Sequence, residues 1–448
     1  MLRDYLESCV RLTFDDIPAS VIKKTKLSIL DTLGVMIRGS REDIVQKISE
    51  KLLIGSCSEE ASEMVTHKKC SVEVASFINS LAGHVLLFDD EYNKTLLHPG
   101  ATIIPTLLAV SEWGGYTGKK FISSVIVGYE TAIRFSHMLG YKHYALGFSP
   151  TGTVSTLGLI VGLAKLLDLN IEQIMVALSI GAQEMGGIRL YQKKGQMNYA
   201  MLLGAHASKL ALLSINLCGS GLEPFEDFIQ LDSLFYTAFS GSQKTGALGT
   251  LGDDWFLSDV TYKTYPGSRF CHGIVKEVLN KIRAFNIKYK EILEIYIELD
   301  ESRYTISNIP QIDNKGQASF SMQYNLASAI IYDKLTLDQF SLSSMENGDV
   351  KDLMRKVKLV HSLNLDSDYP EKWTTNIRIT HISGGVYSFS FDAISKMEVT
   401  EEEVKAKFLE LTNNVHHIKA NNKLLEIIDN LESVENVSFL IEYFLHFQ

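Results

Sequence analysis

Between residue 17 and about residue 257, apolar residues return every three or four positions, as in IPASVIKKTKLSILDTLGVMIRG and KKFISSVIVGYETAIRFSHML, and this regularity excludes most folds. A period near 3.6 lines one face of a helix, so a stretch this long predicts a pack of helices. Small residues one turn apart, Gly158 with Gly162 and Gly204 with Ser208, let helix backbones approach closely. Around residue 258 the texture changes: EILEIYIELD, NIRITHI and VYSFSF alternate or are rich in β-branched and aromatic residues and read as strands. They are interleaved with ASFSMQYNLASAIIY and DVKDLMRKVKLV, which read as helices, and purely helical patterning returns in VTEEEVKAKFLELTNNV and NNKLLEIIDNLESV. The expected fold is mainly α: a large all-helical domain over 1–257, completed by helices at 397–448, and a smaller α+β domain over 258–396.

A chain of 448 residues suits two such domains. Its 43 basic and 53 acidic side chains give a formal charge of −10, which offers no field for nucleic acid or anionic lipid, so any anionic ligand needs a local cluster of cations. Five scattered cysteines without a CxxC pair point to a reducing compartment. The start, Met1-Leu2-Arg3-Asp4, lacks the apolar core of a signal peptide, and the longest apolar run, Leu157 to Ala164, is too short to span a bilayer. A cytoplasmic protein without membrane contact is expected. The segment Gly114-Gly115-Tyr116-Thr117-Gly118-Lys119-Lys120 fails as a phosphate loop, since Trp113 stands where its first glycine belongs and no Ser or Thr follows the lysine. His67 and Cys70 lack further ligands at workable spacing and read as surface residues. Neither a metal nor an organic cofactor is expected.

Three stretches are more specific: ASFINSLAGHVLLFDDEYNKTLLHPGATIIPTLLAVSEW, GFSPTGTVSTLGLIVGLAKLLDLNIEQIMVALSIG, and YKTYPGSRFCHGIV followed by ASFSMQYNLASAI. In order and spacing they resemble the MmgE/PrpD family, over most of residues 20 to 410. The resemblance implies a helical domain plus an α+β lid, an active site in the cleft between them, and a homodimer. It also implies lyase or isomerase chemistry on small di- and tricarboxylates, by dehydration, decarboxylation or epimerisation, without a cofactor. His98 falls on the family's active-site histidine, Lys263 on its lid-segment lysine and Tyr324 on its lid tyrosine. Three polar positions depart from the pattern: Leu87 replaces an aspartate, Ser149 a histidine, and Tyr199 a lysine five residues before Gly204. These losses leave open a family member that binds carboxylates or serves as a scaffold without turnover.

Chemistry gives each residue a role and an alternative. Proton transfer beside a carboxylate needs a base near neutral pH and fixed positive groups, and His98, ahead of the helix break Pro99-Gly100, suits the first task. Its bland alternative is a histidine bonded to a backbone carbonyl. Lys263 and Arg269 flank the turn pair Pro266-Gly267, so both can grip an anion from one loop, or else lie in solvent. His272 is a second acid or base or a core histidine, and Tyr324 a donor or a core tyrosine. Glu91 shares a face with Leu87 if that segment is helical and can restore the lost carboxylate. Asp90, Ser149, Thr151 and Tyr199 complete the substrate-binding candidates, while Asp89 reads as structural and Arg134 as paired with an acid of the helical domain.

Overall fold

In the computed structural model, which describes residues 2–446 apart from 57, 195, 227, 231–232, 242–247, 414 and 416–417, the chain divides into two units. One comprises Met1–Arg189, Tyr199–Tyr262 and Thr400–Gln448; the other comprises Leu190–Asn198 and Lys263–Val399. The fold is mainly α, with nineteen α-helices and two small sheets among the described residues.

In the helical unit the backbones of Gly118–Ala145 and Val154–Leu166 nearly touch. A Cβ on Gly158 would lie 2.5 Å from the carbonyl oxygen of Gly128 and from Ala132 Cβ, and one on Gly162 would lie 2.9 Å from the Ser124 carbonyl. Glycine at these positions is therefore a condition of the packing, as the one-turn spacing predicts. The Gly114–Lys120 segment is the turn between two helices: Gly115 takes the left-handed conformation with φ +65° and Thr117 caps the next helix through Lys120 N. The C-terminal helix Glu401–Thr412, opened by a Thr400–Glu403 capping box, lies on helix Ala19–Gly39, where a Cβ on Gly34 would come within 3.1 Å of the Phe408 ring. Arg134 pairs with Glu130 at 3.3 Å and holds the carbonyls of Leu248 and Asp254.

Residues 258–262 group with the helices for a physical reason. Thr261 and Glu91 exchange backbone hydrogen bonds of 2.8 and 2.9 Å, and the Tyr262 hydroxyl is bonded to Ser28 and to the Lys24 carbonyl. Cys70 departs from the surface role read from the sequence, since its strand position in the Ala61–Ser62/Lys69–Cys70 hairpin turns the thiol inward and buries it; His67 is half-buried.

The second unit is built on a four-stranded sheet in the order Val357–His361, Ile292–Leu299, Thr374–His381, Val386–Asp392, with the first pair parallel and the others antiparallel. Alternate residues Ile295, Ile297 and Leu299 of the central strand are buried, along with Ile377 and Ile379 beside them. Arg303, fully buried, ties Asp300 to the backbone carbonyls of Trp373 and Thr374 and to the Thr375 hydroxyl.

Gly158→Ala is expected to lower stability by about 1–3 kcal/mol, because the methyl group must displace a backbone carbonyl. Gly219→Ala, with open space around its Cβ, should change stability little; urea midpoints of the two variants make the comparison.

Candidate active site

Helix Val72–His84 stops at His84, and helix Gly100–Gly114 starts after Pro99, so the intervening loop carries Asp89, Asp90, Glu91 and His98. The loop is irregular. Leu87 and Leu96 both take positive φ, 52° and 59°, and residues 92 and 97 exchange backbone bonds. Lys407 reaches into it from the C-terminal helix, donating to Asp31 at 2.7 Å and to the Phe88 carbonyl at 2.5 Å. That contact places a buried cation beside a stretch holding three buried carboxylates, Asp89, Asp90 and Glu91.

His98 Nδ1 lies 2.9 Å from the carbonyl oxygen of Asp90, which can only accept. In the neutral ring Nδ1 therefore carries the proton and Nε2 keeps the lone pair. The carbonyl-bonded histidine of the bland alternative is thus present, and it engages Nδ1, a bond compatible with a role as base through Nε2. Asp89 Oδ2 lies 3.4 Å from the same Nδ1 and 2.8 Å from His84 Nδ1, and the two rings stand 5.2 Å apart. The His98 side chain is 18% exposed, whereas His84 and Asp89 are 3% and 0% exposed. Thr151 fixes the backbone by accepting the His98 N–H at 3.1 Å.

The remaining helical-unit candidates part ways. Asp90 is engaged inside the fold: Oδ1 accepts from Gly100 N at 3.0 Å and Oδ2 from the Tyr129 hydroxyl at 2.8 Å. A Cβ on Gly100 would fall 2.5 Å from Asp90 Oδ1 and Thr32 Oγ1, so the glycine of His98-Pro99-Gly100 makes room for this carboxylate. Burial, and then the charge of Asp31, pushes the Asp90 carboxyl up to about 8 against the pull of its two donors. Glu91 does not share a helical face with Leu87. The loop is not helical, and Glu91 is bridged to Thr261, with Oε2 buried and no hydrogen-bond partner among the described residues. Ser149 is buried in the turn before helix Val154–Leu166, donating its N–H to Gly187 O. Tyr199 is 60% exposed on the short turn Met197–Tyr199.

Within the α+β unit Lys263 and Arg269 are both buried, contrary to loop cations in solvent. Lys263 Nζ approaches the Gly267 carbonyl at 3.4 Å, and Arg269, the first residue of helix Arg269–Ala284, approaches the Met397 carbonyl at 3.4 Å. Gly267, with φ +92°, makes the turn, and a Cβ there would meet Ser319 O at 2.6 Å. His272 is buried edge-on to Tyr265 at 5.6 Å. Tyr324 is a packed tyrosine: it donates to the Gln339 carbonyl, lies beside Phe340, and burial pushes its hydroxyl up to about 12. Sequence reasoning missed His84 altogether. Its signal was a histidine closing a helix five residues before Asp89.

The sequence pattern of the MmgE/PrpD N-terminal domain matches residues 5–247, and that of the MmgE/PrpD C-terminal domain matches residues 265–433. Cis-aconitate decarboxylase of Mus musculus is 25% identical over 448 aligned residues, covering 94% of this chain and 88% of that protein. Cis-aconitate decarboxylase of Aspergillus terreus is 23% identical over 470, covering 96% and 93%.

Because the folded Asp90 carboxyl sits near 8 and an unfolded one near 3.8, its contribution to stability is complete below pH 4 and is lost as pH rises toward 8. Asp90→Asn, isosteric with the protonated acid, should flatten the decline of the urea midpoint between pH 5 and 8. An unchanged slope would show the carboxyl ionised across that range.

Proposed function

This chain belongs to the MmgE/PrpD family, and from that premise we propose that it is a lyase acting on a small di- or tricarboxylate by proton transfer at a carbon beside a carboxylate. The observation that supports the reading best is His98, with Nδ1 held by the Asp90 carbonyl, Asp89 behind it and the ring partly open to solvent. A ring held this way offers Nε2 in one orientation, and that removes the entropic part of positioning a base. In a decarboxylation the C–C bond to the departing CO2 breaks, its electron pair stays on the neighbouring carbon, and His98, having first taken a proton from solvent on Nε2, delivers it there. In a dehydration Nε2 takes the proton, the electron pair forms the double bond and the hydroxyl leaves as water with a proton from an acid; in an epimerisation Nε2 takes the proton and another returns to the opposite face of the carbon. Lys263 and Arg269 are assigned to substrate carboxylates, as cations kept out of bulk water bind anions more strongly than exposed ones do.

The decarboxylase names of the relatives favour carboxy-lyase chemistry on a tricarboxylate over epimerisation. A second reading, a family member that binds without turnover, rests on Leu87. This residue occupies a left-handed backbone position that an aspartate tolerates better than a leucine, so the departure from the family pattern is not explained by local conformation.

Incubation with cis-aconitate and a panel of di- and tricarboxylates in deuterated water, followed by proton NMR and CO2 detection, tests the proposal. Turnover with deuterium at the carbon beside a carboxylate is expected, and His98→Ala should lower kcat by about 10²–10⁴-fold. Lys263→Met should chiefly raise KM, by tenfold or more. Ligand-induced thermal shifts without any product would favour the silent reading, and full activity of the His98 variant would remove the proton-transfer assignment.

A further inference from the structure

Two imidazoles and one carboxylate converge in the loop after helix Val72–His84. The candidate ligand atoms of His84, Asp89 and His98 all lie within 4.8 Å of one another. Both Nδ1 atoms face the same oxygen, Asp89 Oδ2, at 2.8 and 3.4 Å. Bond lengths near 2.0–2.1 Å around a tetrahedral ion set its ligand atoms about 3.3 Å apart, close to the His98–Asp89 separation and about 0.5 Å beyond the His84–Asp89 one. We propose that His84, Asp89 and His98 form a site for one zinc-class divalent cation, and that filling it switches His98 off.

The donor set defines the cation. Two neutral imidazole nitrogens and one carboxylate oxygen suit zinc and its borderline neighbours, whereas magnesium and calcium demand oxygen. Three protein ligands leave a fourth position, and the partial exposure of His98 beside the closed-off His84 and Asp89 puts that position on the His98 side. Coordination also has a chemical consequence. At present the proton of each held ring sits on Nδ1, shared with Asp89 or the Asp90 carbonyl. When Nδ1 becomes a metal ligand, the neutral ring carries its proton on Nε2 instead. Nε2 then has no lone pair with which to take a proton, either from the substrate or from solvent to become the acid of a decarboxylation. This second half rests on the proposed function; the binding half does not.

The test uses the full chain stripped with a chelator. Zinc titration by calorimetry should give one ion per chain with a dissociation constant below about 10 µM. His84→Gln and Asp89→Asn should each weaken it at least tenfold, and cobalt(II) should give visible ligand-field bands that His84→Gln abolishes. Circular dichroism establishes that the variants are folded, and if either variant is not, His98→Gln and the cobalt spectrum of the unaltered chain serve in its place. No stoichiometric binding, or binding undiminished in the folded variants, overturns the site. Zinc should inhibit turnover over the same concentration range, reversibly with chelator. Tight binding at these residues with turnover unaffected would keep the metal site and overturn the switch together with the role of His98 in the reaction.

Discussion

Carboxylates buried inside a helical bundle are the constraint from which the rest of this structure follows. Asp31, Asp89 and Asp90 are each almost wholly inaccessible to water, and a charge there is costly unless something answers it. Each is answered differently. Asp31 takes the Lys407 ammonium, Asp89 the His84 ring, and Asp90 the Tyr129 hydroxyl and the Gly100 N–H, with its carboxyl pushed toward the protonated form. The loop from 85 to 99 adopts an irregular path because these partners come from different helices, and only a non-repeating backbone can reach them all. Leu87 and Leu96 bear the backbone strain of that path.

His98 gains its geometry from the same arrangement. The Asp90 backbone accepts from its ring while the Asp90 side chain accepts from Gly100, so one residue fixes both the imidazole and the start of the following helix. A larger residue than glycine at 100 would strike the carboxylate, the Thr32 hydroxyl and the Tyr129 hydroxyl together. Support of this kind, in which a ring is held through groups that are themselves held, is what the proposed role of His98 in proton transfer requires.

Much of the fold was legible because helices and strands announce themselves by period. The helices read before residue 258 and in the tail are present, beside one short hairpin, Ala61–Ser62 with Lys69–Cys70, and EILEIYIELD, NIRITHI and VYSFSF form strands; DVKDLMRKVKLV, read as one helix, is helical only to Lys356, and its β-branched end pairs with the central strand as Val357–His361. The one-turn glycine spacing told of close backbones, and Gly158 and Gly162 meet them. The site was legible only in part. His98 stood out by its place before Pro99-Gly100, but Glu91 was read through a helix that the loop does not form, and spacing in sequence has no meaning for side-chain direction once the backbone turns left-handed. Tyr324 and Cys70 show the other limit: burial of a polar group depends on which carbonyl or strand partner the tertiary fold supplies. His84 was invisible because its partner, Asp89, is reached across a bend and not along a periodic face.

The contact between Lys407 and Asp31 spans 376 residues of chain. During synthesis at 5–20 residues per second, the aspartate waits roughly 20–75 s before its ammonium partner exists. Over that interval the emerging bundle holds an acid facing its interior, so the loop after His84 has reason to stay unformed on the ribosome. The loop that carries His98 therefore cannot make its Lys407 contact until residue 407 has been synthesised.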